Sequence, residues 1–593
     1  MRALRPRAPA RYNSFLLLVA GLGGLLYGID VGIIAGALPY LEASSGLTSG
    51  QLSFVVAAVL LGSVISTLFA GALADWMGRR LLMMLSGVLF VISIPTIALA
   101  DGYLPLILGR LLQGISAGLI GVVVPLYLAE CLDASNRGKG TAIFQWLLTL
   151  GIVAAALIGM YFSFRVAEVA KLGDAPKLLA FKDGAWRSIF WVSLPPGVLF
   201  VLGCLLVSDS PRWLYRRGRI DAARAALLRS RPAEQTELEL GEMARVLDAE
   251  KLRTSGARAR ESLLRRKYLI PFLLACVILV CTQATGINSV IGYSTNILIQ
   301  AGLSDLQAHW AYVILTTVNF VFTIGAVLLV DRKGRKFLLS VGTAGIIASL
   351  LAAGGLFHRT ERHRVDGRAA VQALVAGEQG VSLTFDRAGA DRLLAAAGEP
   401  GRAIAGQELG MVVIYSYGDF RAATTVLRTD DLNAQALAIT REGSIPANRV
   451  VAFFSNPFGD LAAARTAPLQ IENALITPIP GTRNGWLTAA AIFSFMAFFS
   501  AGPGVCVWLA LSELMPTRIR SNGMSIALLF NQAVSTGIAA TFLPLVGRFG
   551  YSTLFYGFAS CTVIYFITAA FFLPETKGKT LEEIEEHFAR TAR

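Results

Sequence analysis

The stretch that decides the fold is GALADWMGRR at 71–80, because VLLVDRKGRK at 327–336 repeats its pattern. In each stretch an acid is followed after three residues by a glycine and then by a basic residue. Asp75 corresponds to Asp331 and Arg79 to Arg335, and both pairs are 256 positions apart. Internal repetition at a fixed offset indicates that the chain contains two related halves.

A second repeat locates an insertion. The stretch from Glu130 to Arg137 is repeated from Glu513 to Arg520, now 383 positions later. The two offsets differ by 127 residues, which predicts an insertion between the third and fourth helices of the second half. Residues 358–484 have this length, are polar and contain no spanning run, so we expect a small extracytoplasmic α/β or α+β module. It is either a decoration or a module that binds a ligand or a partner.

The composition points to a membrane protein. Of the 593 residues, 54% are hydrophobic and 16% are charged, whereas soluble domains have about 25% charged residues. Twelve runs reach the ~20 apolar residues that cross a bilayer. They lie near 13–40, 52–74, 82–101, 103–129, 140–163, 187–207, 269–299, 308–330, 337–357, 485–511, 522–546 and 552–573. The expected fold is therefore an all-α membrane protein with twelve transmembrane helices in two six-helix halves.

The net charge of +14 has an uneven distribution. Lys and Arg collect before the first span and after the second, fourth, sixth, eighth and tenth, whereas the opposite loops near 41–51, 101–103 and 301–307 hold none. This positive-inside pattern places both termini in the cytoplasm. It explains the basic charge better than binding to nucleic acid does. The first run is too long for a signal peptide, so we interpret it as a retained helix.

These features divide the chain into five parts. The 209–266 segment is rich in Arg, Ala, Leu and Glu at helical spacing, which predicts cytoplasmic helices between the halves. The expected parts are an N-terminal half at 13–208, a linker at 209–266, a C-terminal half at 267–357 and 485–573, the insertion at 358–484, and a cytoplasmic tail at 574–593.

Acids and bases recur together at the inner helix ends of both halves. A salt-bridge network there could hold one access state closed and break in the other. The alternative is plain anchoring of basic loops at the membrane surface. The candidate gating residues are Asp75, Arg79, Glu130, Arg137, Asp331, Arg335, Glu513 and Arg520.

Eight motifs together resemble the sugar porter family of the major facilitator superfamily. They are GGLLYGIDVGIIAGAL (23–38), LADWMGRR (73–80), LYLAE followed by NRGKG (126–140), SPRWL (210–214), GIN (286–288), VDRKGRK (330–336), LSEL (511–514) and PETKGKTLEEIE (574–585). The resemblance leaves out 1–12, a loop expected at 164–186, and 358–484. It implies alternating-access transport of a monosaccharide.

Asp30 is the candidate proton site. It interrupts an otherwise uncharged run from Phe15 to Leu41, and ionisable groups within a membrane are costly and therefore functional suspects. Arg110 in the fourth span is the expected cationic partner. The pattern resembles proton-coupled members of the family, whereas the similar facilitative glucose transporters carry Asn at this position. In the alternative interpretation, Asp30 only caps or bonds within the bundle.

A neutral sugar needs amide and aromatic side chains with little net charge. Residues of this kind within the spans match the family's sugar-contacting positions, although polar residues in membrane bundles also serve as interhelical contacts. They are Gln145, Gln283, Asn288, Tyr293, Asn319, Trp508 and Asn531. Departures from the family pattern at Thr282, Gly292, Gln532 and Asp209 leave the identity of the sugar open.

Enzyme functions find no support in the sequence. No P-loop or HExxH motif is present, and we expect no cofactor or metal site. The expected partners are a sugar, a proton and the lipid bilayer of a cell membrane, such as a bacterial inner membrane. A sugar uniporter, a polyol or cyclitol transporter and a sugar sensor remain alternatives, and the oligomeric state is open.

Overall fold

The structure is a computed structural model. It describes residues 7–132, 137–255, 266–375, 380–430, 437–446, 449, 452, 456, 459–515, 520–575 and 588. In chain order the helices are α1 (Arg7–Ser45), α2 (Ser49–Met77), α3 (Arg79–Ala98), α4 (Tyr103–Cys131), α5 (Arg137–Ala170), α6 (Ala175–Trp191), α7 (Leu194–Leu206), α8 (Pro211–Arg216), α9 (Ile220–Ser230), α10 (Ala233–Ser255), α11 (Arg266–Ala284), α12 (Ile287–Gly292), α13 (Ser294–Gln300), α14 (Asp305–Lys333), α15 (Arg335–Glu361), α16 (Arg368–Gln372), α17 (Arg387–Ala396), α18 (Glu399–Arg402), α19 (Arg441–Ser444), α20 (Leu461–Ala464), α21 (Thr482–Ala501), α22 (Pro503–Leu514), α23 (Arg520–Phe549) and α24 (Tyr551–Ile567), followed by a π-helix at Thr568–Phe572.

Twelve helical segments of the described chain are long and apolar enough to cross a membrane, which confirms the predicted number of spans. The prediction of a loop over the whole of 164–186 is wrong. Helix α5 continues to Ala170, and α6 begins at Ala175. The Asp174 carboxylate restarts the helix because it accepts a hydrogen bond from the Lys177 backbone N–H at 3.1 Å.

Several spans are broken, and the breaks follow the sequence. The seventh span consists of α11, α12 and α13, and its first break is at Gly286. Gly286 has φ +81°, and a Cβ there would lie 2.5 Å from the Phe558 ring. Only glycine fits both requirements. The tenth span breaks before Pro503, where proline cannot donate the hydrogen bond that continues a helix.

Among the described residues, one buried apolar core joins the two halves, and it lies at one end of the bundle. We call the end that carries the 358–484 segment the insertion end, and the end that carries the 75–80 and 331–336 loops the basic end. Between the level of Asp30 and the insertion end, one buried apolar cluster draws residues from both halves, for example Ile33, Trp186, Leu315 and Phe495. Towards the basic end each half has its own cluster within the described residues.

The 358–484 segment contains two antiparallel sheets. Its strands are β1 (Val365–Asp366), β2 (Gly380–Leu383), β3 (Leu409–Tyr417), β4 (Phe420–Ala423), β5 (Leu427–Arg428), β6 (Leu437–Thr440) and β7 (Leu469–Pro478). One sheet has the order β1-β7-β3-β4 with β5 also on β3, and the other is β2-β6. Alternate residues of β3 and β7, including Met411 and Ile471, bury an apolar core, which gives an α+β arrangement.

This module contacts both halves of the bundle. The Ser49 hydroxyl at the start of α2 donates to the Ala423 carbonyl at 3.1 Å. Arg428 donates to the Ile299 carbonyl at 3.0 Å. The Arg428 side chain also hydrogen-bonds Asp430 and lowers the pKa of that carboxyl, so the pair stays charged.

Helices α8, α9 and α10 follow the first half. Leu214, Ala223 and Leu240 form a small core among them. The Trp213 indole donates to the Asp75 carbonyl at 2.8 Å, which holds α8 against the basic end of the N-terminal half.

Candidate functional site

Three amide side chains meet at the break in the seventh span. The Gln283 amide donates to Asn531 Oδ1 at 3.2 Å, and Asn288 donates to Gln283 Oε1 at 3.0 Å. Asn288 also donates to the Ser535 hydroxyl at 2.7 Å, and Asn531 donates to the Leu279 carbonyl at 2.8 Å. The break places Gln283 before the turn and Asn288 after it, so both face α23. The cluster offers donors and acceptors without net charge, which suits hydroxyl groups.

In this state the Tyr293 side chain is packed inside the protein and does not line an open surface. Its ring is fully buried and stacks on Phe542 at a centroid distance of 4.5 Å. Its hydroxyl donates to the Ala539 carbonyl at 2.9 Å. The residue therefore fixes α23 against the second break of the seventh span.

The other predicted sugar ligands lie apart from this amide cluster or outside the described side chains. Asn319 accepts a hydrogen bond from the Ser500 hydroxyl at 2.8 Å and links α14 to α21. Gln145 is half-buried on α5, and its side chain makes no hydrogen bond to another described residue. The Trp508 side chain lies outside the described residues. Sugar contact by these three residues stays a prediction.

Asp30 belongs to a buried polar chain in the N-terminal half. Its Oδ1 accepts from the Gln113 amide at 2.6 Å, and Gln113 Oε1 accepts from Arg110 at 2.6 Å. All three side chains are at most 1% exposed. Arg110 also donates to the Val55 carbonyl at 3.4 Å and lies over the Phe190 ring. Asp30 Oδ2 is buried without a hydrogen-bond partner. The structure thus brings Arg110 to Asp30 through Gln113.

Charges cluster around Arg79 at the basic end. This side chain is 4% exposed and pairs with Asp75 and with Glu130, each at 2.9 Å. The Asp209 carboxylate accepts from the Arg79 backbone N–H at 3.1 Å, at the first turn of α3. Gly78 has φ +93°, and a Cβ there would meet the Asp209 carboxylate at 2.5 Å. Glycine is therefore required for this carboxylate to reach the helix N-terminus.

The C-terminal half repeats this arrangement. The Glu575 carboxylate accepts from the Arg335 backbone N–H at 3.2 Å, and a Cβ on Gly334 would meet Glu575 at 2.5 Å. Gly334 also has a positive φ, +89°. The side chains of the remaining predicted gating residues lie outside the described part: Arg137, Asp331, Glu513 and Arg520.

Four contributing residues are not among the site residues predicted from the sequence: Gln113, Ser535, Asp209 and Glu575. Gln113 is three residues after Arg110 and so shares its helix face, which is a usable signal. Asp209 and Glu575 are each the first acid after the last span of their half. Ser535 follows Asn531 by one helical turn. Among the described residues, no group of three or more His, Cys, Asp or Glu side chains could hold a metal ion.

Comparison with known proteins places these features in a family. The model of the family "Sugar (and other) transporter" matches residues 16–377 and 473–588. The glucose transporter GlcP of Staphylococcus epidermidis is 32% identical over 57% of this chain and 71% of its own length. The arabinose-proton symporter of Escherichia coli is 31% identical over 59% of this chain and 71% of its own length.

A solved structure agrees on the fold. The xylose transporter XylE of E. coli, in a partially occluded inward-open conformation, superposes with a TM-score of 0.63 at 20% identity. The match covers 96% of this chain and 100% of that one. The twelve spans, the repeated basic-end motif and the family match lead to one conclusion: the chain belongs to the sugar porter family of the major facilitator superfamily, whose members named here are transporters and not enzymes.

Proposed function

We propose that this sugar transporter imports a monosaccharide together with a proton by alternating access. The observation that carries the proposal is the uncharged amide cluster of Gln283, Asn288 and Asn531 at a helix break, in one bundle with the buried Asp30. Broken helices are where transporters of this kind hold their substrates. The relation to an arabinose-proton symporter supports the coupling to protons.

The proposed orientation has the basic end and both termini in the cytoplasm of a cell membrane. The distribution of Lys and Arg supports it. The halves share one apolar core at the insertion end and have separate cores at the basic end, so this state is inward-facing. Sugar and proton binding must differ in energy between this state and the outward-facing one for transport to be coupled.

Asp30 is the proposed proton carrier. Its Oδ2 has no hydrogen-bond partner, so a proton can bind there without breaking a contact within the protein. Gln113 holds the other oxygen, and Arg110 supplies a nearby positive charge through Gln113. A proton on Oδ2 removes the charge that attracts Arg110, so α1 is held less tightly to α4 and can move more easily against it.

Reconstitution into liposomes tests the proposal. We expect saturable uptake of a labelled sugar, competed by a panel of aldoses, and alkalinisation of the outer medium that depends on the sugar. Competition by polyols alone would identify a polyol or cyclitol transporter. Uptake without alkalinisation would identify a uniporter, and no saturable uptake of any sugar or polyol would contradict the proposal.

We also propose that the charge cluster around Arg79 controls opening of the basic end. The carboxylate of Glu130 is 12% exposed, so the Arg79–Glu130 pair is largely shielded from water. Removing one partner of such a pair leaves the other charge unpaired, which costs far more than the loss of an exposed pair. Breaking this pair therefore costs enough free energy to shift the equilibrium between the access states.

Glu130→Gln is expected to lower the maximal uptake rate about 10-fold, because Arg79 loses its shielded partner and the equilibrium between access states shifts, a difference of ~1.4 kcal/mol. Rate and apparent affinity would be measured in proteoliposomes at constant pH. Glu237→Gln is the matched control, because Glu237 is 58% exposed in its pair with Arg224. Equal effects of the two substitutions would contradict a gating role for Glu130.

A further inference from the structure

One edge of the larger sheet in the 358–484 module faces the membrane bundle. Residues 420–428 run along β3 as an interrupted strand, in which β4 and β5 pair with β3 and residues 424–426 connect them. An edge strand presents backbone groups that need partners. We call residues 420–428 the bridging edge, because its partners come from both halves of the bundle.

The bridging edge contacts the N-terminal half where α1 ends and α2 begins. The Ala423 carbonyl accepts from the Ser49 hydroxyl at 3.1 Å, and Ser49 is 4% exposed. The Glu42 carboxylate accepts from the Val426 backbone N–H. Taking this carboxylate out of water opposes closure of the insertion end, and its hydrogen bonds offset that cost. The stabilising part of the contact is therefore the neutral bond of Ser49 and the apolar packing around it.

The same edge contacts the C-terminal half. Strand β4 lies against α23, where a Cβ on Gly547 would lie 3.3 Å from the Val412 side chain and 3.9 Å from that of Ala423. Arg428 donates to the Ile299 carbonyl at the end of the seventh span. The chain on either side of the module continues into α15 and α21, which also belong to this half. The module is therefore attached to the C-terminal half and reaches across to the other half.

The bridging edge crosses the line along which α2 meets α23. These helices belong to different halves and are in direct contact, since the Ser53 hydroxyl accepts from the Leu543 backbone N–H at 3.1 Å. Opening the insertion end moves α2 away from α23. Because the module stays with the C-terminal half, this movement also separates Ser49 from Ala423. The contacts of the bridging edge with α2 thus exist in the inward-facing state and are lost in the outward-facing one.

We propose that the insertion module stabilises the inward-facing state through its bridging edge, which joins the beginning of α2 to α23. Contacts that exist in one state shift the equilibrium towards that state. Weakening them should therefore increase the share of molecules that are open at the insertion end. The inference rests on the proposed alternation between two access states, but on neither the identity of the sugar nor the coupling to protons.

Distances between spin labels test this proposal without sugar. Labels at Leu172 and Arg483, which are exposed at the insertion end of opposite halves, report whether that end is closed, and the six native cysteines are replaced. Ser49→Ala removes the neutral bond. We expect the ratio of closed to open molecules to fall about fivefold, the effect of one net hydrogen bond. Ser49→Leu should lower the ratio further, because the larger side chain overpacks the contact with Ala423.

Ser44 supplies the matched controls, because its hydroxyl bonds the Tyr40 carbonyl of its own helix. Ser44→Ala and Ser44→Leu should leave the ratio within about twofold of the unsubstituted protein. A second pair of labels follows the module itself, at the exposed Ala396 of α17 and at Arg483. This pair should give one unchanged distance in every variant, because the module moves with the C-terminal half.

Three results would overturn the proposal, and they have different meanings. Two populations whose ratio responds equally to the Ser49 and Ser44 substitutions would show that the bridging edge does not favour either state. A distance from Ala396 to Arg483 that changes when the insertion end opens would show that the module leaves the C-terminal half. A single population between Leu172 and Arg483 in every variant would contradict the alternation that the proposed function requires.

Discussion

Asp30→Asn is expected to lower sugar accumulation against a gradient about 100-fold, the upper range of coupling between two sites. The rate at which labelled sugar exchanges for unlabelled sugar across the membrane should stay within a few-fold of the rate of the unsubstituted protein. Asparagine keeps the Oδ1 acceptor that Gln113 contacts at 2.6 Å but offers no titratable oxygen at the Oδ2 position. The variant therefore no longer carries a proton in the transport cycle, but it still binds and translocates the sugar.

Two measurements in the same liposomes separate these effects. Accumulation is followed with an imposed pH gradient, and exchange is followed at equal pH on both sides. Asp101→Asn is the matched control, because the Asp101 side chain is 97% exposed at the insertion end. Undiminished accumulation in the Asp30→Asn protein would leave Asp30 with a structural role only and would favour a uniporter.

The residues of this site that could be predicted from the sequence are those that stand out by their position in a run or a repeated motif. Asp30 stands out because it is the one charge in a long apolar run, and Arg79 stands out because its motif recurs in the second half. The twelve spans follow from apolar length alone. The position of the insertion follows from the two repeat offsets, without any knowledge of its fold.

The rest depends on contacts between distant segments. Gln113 lies between Arg110 and Asp30 only because α1 and α4 cross at that level. The prediction of a loop at 164–186 failed because α5 and α6 extend beyond the apolar runs on which the prediction of spans relies. The strand pairing of the insertion is likewise set by partners distant in sequence, such as Met411 and Ile476, which are 65 residues apart.

Gln283→Leu is the second substitution with a large expected effect, a loss of apparent sugar affinity of about 100-fold. Gln283 is the central amide of the cluster, since it donates to Asn531 and accepts from Asn288. Leucine has a similar volume but no polar atom, so the sugar loses the amide that bonds its hydroxyl groups, while Asn288 and Asn531 keep their bonds to Ser535 and the Leu279 carbonyl. A bound sugar hydroxyl left without its partner costs about 1–3 kcal/mol, and about 2.7 kcal/mol corresponds to 100-fold.

The measurement is the concentration dependence of exchange, which does not require proton coupling and so stays independent of Asp30. Thr541→Val is the control, because it removes a polar group from α23, the helix that carries Asn531, at an exposed position where the hydroxyl bonds carbonyls of its own helix. Gln283→Asn should recover part of the affinity, because it retains the amide on a shorter side chain.

A sugar affinity unchanged by Gln283→Leu would mean that the amide cluster only joins α11 to α23, and the sugar site would then have to be sought among Gln145, Asn319 and Trp508. A loss of affinity equal to that of Thr541→Val would mean that any polar group on α23 has the same effect. The proposal requires a large effect of Gln283→Leu together with a small one of the control. It requires this because recognition of an uncharged, hydroxylated substrate depends on amides whose donors and acceptors are already oriented by one another.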